Sequence, residues 1–484
     1  MNRRWWLLAI GLGMLGFIVG SFGFPNPAPQ YIPPLKVTGD VTRTIKLEDP
    51  RQMGELYDLS YQGHKYKAIK LLDIIKAARP AGNPEQVYLL GSDGFAVSLK
   101  TRGLGESFIT FTAENGWEAI NLNHPLNSNA KMLQEIVIVS DGSSPGFGVS
   151  IINRDRELLH ITPGQLYYHT LLDYPCFEGR ATLQSKGKSY TSAVYTRRKL
   201  VKLRELIPAQ AGDRILAMGA AGEHRYLANR GYIELRDNYL SYFQPEEHSR
   251  VDNLKGVIVN PPTASIMDCY YEIRHYLESN ERVLVIVIDG LNYRQYSRVT
   301  QKGYAPFLNK APAALMASGV YPLEGKVWRA ALITGRPPEE NGVIDKSDQK
   351  LAAGTIFALA EQLKNPVLLL DPGFKELNTS PKPLPINGQS ASGKPDEALF
   401  DLAMDQMDQD YDLIMLRFNG MTVNSKYSGQ LSDRGMTAIT AIDTKLERIA
   451  NKWPGRMIVV GFPAMSPAGE FSCDSMLVPY VHVK

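Results

Sequence analysis

Residues Arg282–Asn292, RVLVIVIDGLN, constrain the fold more than any other stretch. The apolar run Val283–Ile288 is short and rich in Val and Ile. Such a run predicts a strand covered on both faces, as in a parallel sheet flanked by helices. Asp289 then falls at the carboxyl end of that strand, where open α/β sheets place their ligands. Gly290 frees the backbone for a tight turn there. An Asp that only caps the following helix explains the same letters, so the rest of the chain has to decide.

Further along lie ALITGRPPEENGV (Ala331–Val343), DYDLIMLRFNG (Asp410–Gly420), AIDTKLERIANKW (Ala441–Trp453) and RMIVVGFP (Arg456–Pro463). Apolar strands alternate with helical stretches such as TIFALAEQL. This alternation predicts a doubly wound α/β sheet over about residues 265–484, with helices on both faces and Asp289 at the carboxyl edge of a central strand. In order, spacing and wording the region resembles the alkaline phosphatase superfamily, especially its phosphodiesterase and nucleotide-pyrophosphatase branch. Thr334, Gly335, Pro338, Glu339 and Gly342 form the most specific motif. The resemblance implies two metal ions, usually zinc, which clamp the attacking and leaving oxygens of an in-line phosphoryl transfer. It also implies Asp and His ligands from several strand ends, and a Thr or Ser nucleophile between the metals.

Position by position, most of that set is replaced. Asp289 fills the first ligand position. Gly325 or Lys326 stands where the nucleophile belongs, and neither can attack phosphorus. Trp328 stands near the position of a polar phosphate contact. Thr422 and Lys426 replace an Asp–His pair, although Gly429 is kept. Phe462-Pro463 replaces Asp-His, and Phe471 or a neighbour replaces the last His. No histidine occurs between His275 and His482. Zinc sites of this kind draw affinity and selectivity from imidazole nitrogen. A carboxylate-only site would suit magnesium or calcium and would still lack a nucleophile. Lys326 and Lys426 would also put positive charge where cations belong.

The expectation is therefore a scaffold without its chemistry: no catalytic residue, no metal site, no cofactor. Asp289, the one retained ligand position, is expected to serve as a structural cap or as the partner of one of those lysines. Lys326, Arg329 and Lys426 are candidates to hold an anion. The alternative is a metal-dependent phosphodiesterase or phosphatase with rearranged ligands. No P-loop, GxGxxG after a strand, GxSxG or HExxH offers another chemistry.

At 484 residues the chain predicts two to four domains. Residues 35–148 read as an α+β domain with a helix near Ala68–Ala78, Ile69, Leu72 and Ile75 on one face, and a GSDGF hairpin turn. VTGDV, the Gly63…Tyr66 turn and that hairpin resemble the molybdopterin-binding domain of sulfite-oxidase-type oxidoreductases. That family holds its metal through a cysteine thiolate, and residues 35–150 contain no Cys, which argues against molybdenum. Residues 149–262 restate the theme with a period near 125 residues. Gly187…Tyr190 precedes KLVKLRELI as Gly63…Tyr66 precedes KLLDII, and DRILAMGAAGEHRYL parallels QVYLLGSDGFAVSL. His224, on the second hairpin turn, reads as a solvated side chain. Asn260-Pro261-Pro262 reads as a rigid linker to the last domain, residues 265–484.

The N-terminus differs from all of this. Arg3 and Arg4 precede Trp5–Phe24, twenty residues without a charge. That length spans a bilayer core, and the arginines orient it with the bulk of the chain outside. Residues 1–24 read as a signal anchor or as a signal peptide cut near Gly20-Ser21, with the balance towards the anchor; residues 25–34 form a Pro-rich linker. Cys176, Cys269 and Cys473 are too few and too scattered for a disulfide scaffold. A net charge of +3 without a basic, aromatic-interleaved stripe gives no case for nucleic acid. The expected partners are the membrane, through the N-terminal segment, and an extracytoplasmic protein or ligand. The expected location is the cell membrane with a single span, or the secreted fraction if the signal is cleaved.

Overall fold

The computed structural model describes residues 33–484, apart from 143, 145, 155, 170, 209–211, 246–248, 349, 386–394, 422–432 and 464–468. The expected N-terminal span lies outside the described residues, as do Thr422, Lys426 and Gly429. No helix among the described residues is long and apolar enough to cross a membrane. The fold is mixed α/β with several sheets. Its contacts divide into two compact units. One holds the described residues up to Thr38 with Arg43–Pro80 and Pro84–Ile138; the other holds Gly39–Thr42, Ala81–Asn83 and Val139–Lys484.

The first unit is built on a five-stranded sheet in the spatial order Ile45–Leu47, Leu35–Gly39, Leu133–Asp141, Asn83–Gly91, Ala96–Lys100. Beside it an antiparallel sheet runs Tyr57–Tyr61, His64–Lys70, Ser107–Thr112, Gly116–Asn121. The helix begins later than its periodicity predicts, at Leu71, and ends at Ala77. Ala68, Ile69 and Lys70 are claimed by the ladder to Phe108–Thr110, so cross-strand hydrogen bonding overrides helical pattern there. The buried face becomes Leu71, Ile74 and Ile75, and Leu72 is left in solvent.

The second unit opens with the same plan. Its first sheet has the order Arg156–Ile161, Val149–Asn153, Leu254–Val259, Arg214–Gly219, His224–Ala228. In both sheets the first and last strands of the region lie side by side, and a mid-region hairpin follows on the last strand. Its second sheet runs Leu172–Ser185, Lys188–Lys202, Tyr232–Arg236, Tyr239–Gln244, Ser249–Val251. The leading hairpins also share a turn. Gln62-Gly63 sits at φ 48° and 80°, and Lys186-Gly187 at φ 49° and 74°. Positive φ at both central residues marks the tight hairpin turn whose twist matches that of its strands. The lengths differ greatly: strands of 5 and 7 residues in one hairpin, 14 and 15 in the other.

His224 is not solvated as its sequence context suggests. It opens the His224–Ala228 strand and is 8% exposed. Burial pushes its pKa down to about 4, against hydrogen bonds to its own backbone and to Gly319. The reason is contact with the C-terminal sheet's surroundings. Gly222, at φ 85°, lies so close to Pro338 that a Cβ would sit 2.6 Å from that ring. Arg225 pairs with Glu339.

The C-terminal sheet has seven strands in the order Ala264–Ser265, Ala313–Ser318, Leu477–His482, Arg456–Phe462, Val283–Asp289, Leu413–Phe418, Val367–Leu370. Val283–Asp289 is paired in parallel on both sides, and all its residues are buried. Each such Val or Ile contributes about 1.5–3 kcal/mol by leaving water. Leu477–His482 runs antiparallel to both neighbours. Helices Asp268–Glu278, Gly325–Thr334 and Ile356–Leu363 cover one face. Helices Tyr293–Gln301, Pro395–Gln406 and Asp433–Lys452 cover the other. Ile152, Leu216, Met218 and Ile258, from the preceding α+β region, belong to the first of these cores.

Candidate functional site

The strand ends that should carry chemistry converge around Asp289, the last residue of its strand and 7% exposed. Gly290 turns the chain at φ 90°. The cap of the next helix is not Asp289 but Asn292. Its side chain accepts from the Gln295 backbone N–H at 2.8 Å, and Gln295 Oε1 accepts from the Asn292 backbone N–H at 2.8 Å. Asp289 is thus free for another partner.

That partner is Arg417, in the adjacent Leu413–Phe418 strand. Its Nη2 donates to Asp289 Oδ2 at 2.6 Å, and its Nη1 lies 3.5 Å from Asp371 Oδ1. Asp371 directly follows the Val367–Leu370 strand, and its Oδ1 also accepts from the Gly373 N–H at 2.9 Å. Its Oδ2 accepts from Arg329 Nε at 3.2 Å. Arg329 comes from the Gly325–Thr334 helix, and its Nη1 lies 3.9 Å from Glu376. The packing is tight: a Cβ on Gly373 would overlap the Arg329 guanidinium. Phe462 forms a wall, with Arg417 5.6 Å above its ring and Trp328 edge-on at 5.1 Å. Burial works against the Arg417 charge, but the Asp289 and Asp371 carboxylates outweigh it and raise its pKa above the ordinary arginine value.

Among the described residues the partner of Asp289 is thus Arg417, and the expectation of Lys326 is corrected. Lys326 is buried, and its ammonium donates to the Lys346 carbonyl at 3.1 Å. Arginine suits the position better, because its planar fork serves two carboxylates at once. Arg329 is engaged by Asp371, and Lys426 lies outside the described residues.

The remaining motif residues do structural work. Thr334 Oγ1 donates to the Ala330 carbonyl at 2.6 Å. Gly335, at φ 64°, closes the helix in the left-handed region. Pro338 and Glu339 meet the turn of the Arg214–Ala228 hairpin, as described above. Phe471 is buried against the same α+β region, so close to Gly256 that a Cβ there would overlap its ring. All three cysteines are free thiols.

Among the described residues no three His, Cys, Asp or Glu side chains are grouped to hold a metal ion. The two carboxylates present here do not fit a divalent cation, because each already faces a guanidinium. No hydroxyl stands in the first turn of the Gly325–Thr334 helix. Sequence reasoning missed Asp371, Arg417 and Arg225. Two signals were available: PVLLLD ends in Asp as VLVIVID does, and LIMLRF carries one charge inside an apolar run.

No protein-family profile matches the chain, and no curated protein does. Solved structures similar to it include phosphonoacetate hydrolase from Sinorhizobium meliloti 1021, at 15% identity and a TM-score of 0.30. Murine ectonucleotide pyrophosphatase/phosphodiesterase 5 aligns at 16% and 0.32, and the human protein at 15% and 0.31. Each alignment covers 37% of this chain and 56% of the other. The fold assignment rests on strand order and register, independently of these alignments.

Proposed function

We propose that the chain is a non-catalytic, membrane-tethered protein of the cell envelope, whose enzyme-like folds serve as binding or structural modules. The observation that supports this most is Arg417 lying between Asp289 and Asp371 at 2.6 and 3.5 Å. A metal using both carboxylates would have to displace a buried guanidinium and leave it unpaired, at a cost of several kcal/mol. Phosphate ester hydrolysis needs barrier lowering on the order of 20 kcal/mol. Metal charge and a positioned nucleophile supply most of that, and Gly325, Lys326 and Phe462 supply neither.

The test is an assay with nitrophenyl mono- and diesters, with zinc, manganese or magnesium added, on wild type and Asp289→Ala. No turnover above background is expected. Turnover that Asp289→Ala abolishes would make the chain a metal-dependent phosphodiesterase or phosphatase with rearranged ligands. Elemental analysis after gentle purification is expected to find no stoichiometric zinc or molybdenum, and about one metal per chain would overturn that. The tether rests on Arg3, Arg4 and the uncharged stretch Trp5–Phe24. Mature protein found wholly in the soluble secreted fraction, starting after residue 20, would show a cleaved signal instead.

A further inference from the structure

The long hairpin of the second α+β region projects without cover. Every residue from Arg180 to Arg197 is exposed, yet the strands stay in register from Gly179↔Val194 to Ser185↔Lys188. A two-stranded ribbon with no core on either face is marginal in water. Its root is fixed by a buried carboxylate: Glu234 accepts from Arg198 at 3.2 Å and Arg250 at 2.7 Å, and is ion-paired with Arg236 at 3.1 Å. The two faces of the ribbon differ. Cross-strand pairs Leu183↔Tyr190, Ala181↔Ser192 and Gly179↔Val194 share one face. Leu183 is 66% exposed and Tyr190 57%. The other face carries Arg180, Thr182, Gln184 and Thr191 towards the tip, with the Thr182 and Thr191 hydroxyls 3.2 Å apart, and Tyr195 nearer the root. The stretch contains Arg180, Lys186, Lys188 and Arg197 and no Asp or Glu. Among the described residues none of these four makes an ion pair.

We propose that this ribbon docks on an anionic phospholipid surface. It lies in the headgroup zone, with Leu183, Tyr190 and Val194 towards the acyl chains and the four cations among the phosphates. Apolar residues mixed with unpaired cations, and no acid among them, suit an interface rich in negative charge. The ribbon does not cross the bilayer, because the outer edge of Leu172–Ser185 carries backbone groups that need water. A second copy of the ribbon is a poor occupant, since it would bring two acid-free basic stretches together. The proposal goes beyond the tether reading: the tether acts through residues 5–24 whatever the lipid charge, whereas the ribbon contact depends on that charge.

The experiment places an environment-sensitive dye at Leu183→Cys or Thr182→Cys in the full chain, with dye on the parent's own thiols subtracted. The chain is studied in nanodiscs of mixed phosphatidylglycerol and phosphatidylcholine, and in discs of phosphatidylcholine alone. A blue shift is expected at 183, larger than at 182, only in the anionic discs, and lost on adding K186Q/K188Q. If the chain stays outside the discs because its signal is cleaved, the same labels are read on preformed vesicles. There K186Q/K188Q is expected to weaken association about 30-fold. No shift in anionic lipid, an equal shift in neutral lipid, or a shift that survives K186Q/K188Q would overturn the proposal. So would a shift that rises with the number of chains per disc in either lipid, which would point to a second copy.

Discussion

Two groups of basic residues in the second unit are handled in opposite ways. At the strand ends, Arg417 and Arg329 are largely buried and face Asp289 and Asp371. On the ribbon, Arg180, Lys186, Lys188 and Arg197 stand in solvent with no carboxylate in the same stretch. The first group neutralises charge that burial would otherwise make costly. The second keeps its charge available to something outside the chain. A basic residue in this protein is therefore read by its surroundings.

The largest effect that could break this contrast is at Arg417. Arg417→Ala leaves Asp289 buried with no cation, and a loss of about 3–5 kcal/mol in unfolding free energy is expected by urea denaturation. A loss below about 1 kcal/mol would mean the strand-end pairs are no more than surface contacts. Asp289→Leu combined with Arg417→Met sharpens the point. It is expected to be milder than Arg417→Ala, because the orphaned charge carries most of the cost.

His224 extends the buried side of the contrast to pH. Its folded pKa of about 4 lies below the ordinary value of 6.5. The unfolded chain takes up the proton first as pH falls, so this contribution is complete above about pH 6.5 and disappears on the way down to about pH 4. Its size is on the order of 3 kcal/mol. Denaturation curves across that window should show His224→Gln with a flatter acid limb than wild type; parallel limbs would remove His224 from the account.

Arg225 with Glu339 falls between the extremes, being part-exposed on both sides. Arg225→Ala is expected to cost about 1 kcal/mol, with much of it lost in high salt. At the far end, K186Q/K188Q is expected to shift stability by less than about 0.5 kcal/mol. A larger loss would show that the ribbon lysines serve the fold itself.

The sheet was legible where burial left few options. VLVIVID reads as a covered strand, whereas its parallel register with LIMLRF and MIVVGF was not in the letters and comes from the structure. The helix after Lys70 was legible in existence but not in phase, because the ladder to Phe108–Thr110 decides its start. At the strand ends, the lack of histidine between His275 and His482 was legible. What stands there instead was hidden, since Arg417 and Asp371 lie 46 residues apart in sequence and meet only because their strands are neighbours. The burial of His224 was illegible for the same reason: Pro338 and Glu339, which approach its hairpin, come more than a hundred residues later.

The shared core has a consequence for how the chain can be divided. Ile152, Leu216, Met218 and Ile258 pack in one cluster with Val285, Trp328 and Phe471, on the far side of the Pro261-Pro262 joint. A protease cut or a gene truncation at that joint would not release a self-sufficient piece. It would bare one wall of a common interior on each fragment, and both would tend to aggregate. The proline pair separates two topologies but not two melting transitions, so residues 149–484 should inherit, lose and regain their structure together.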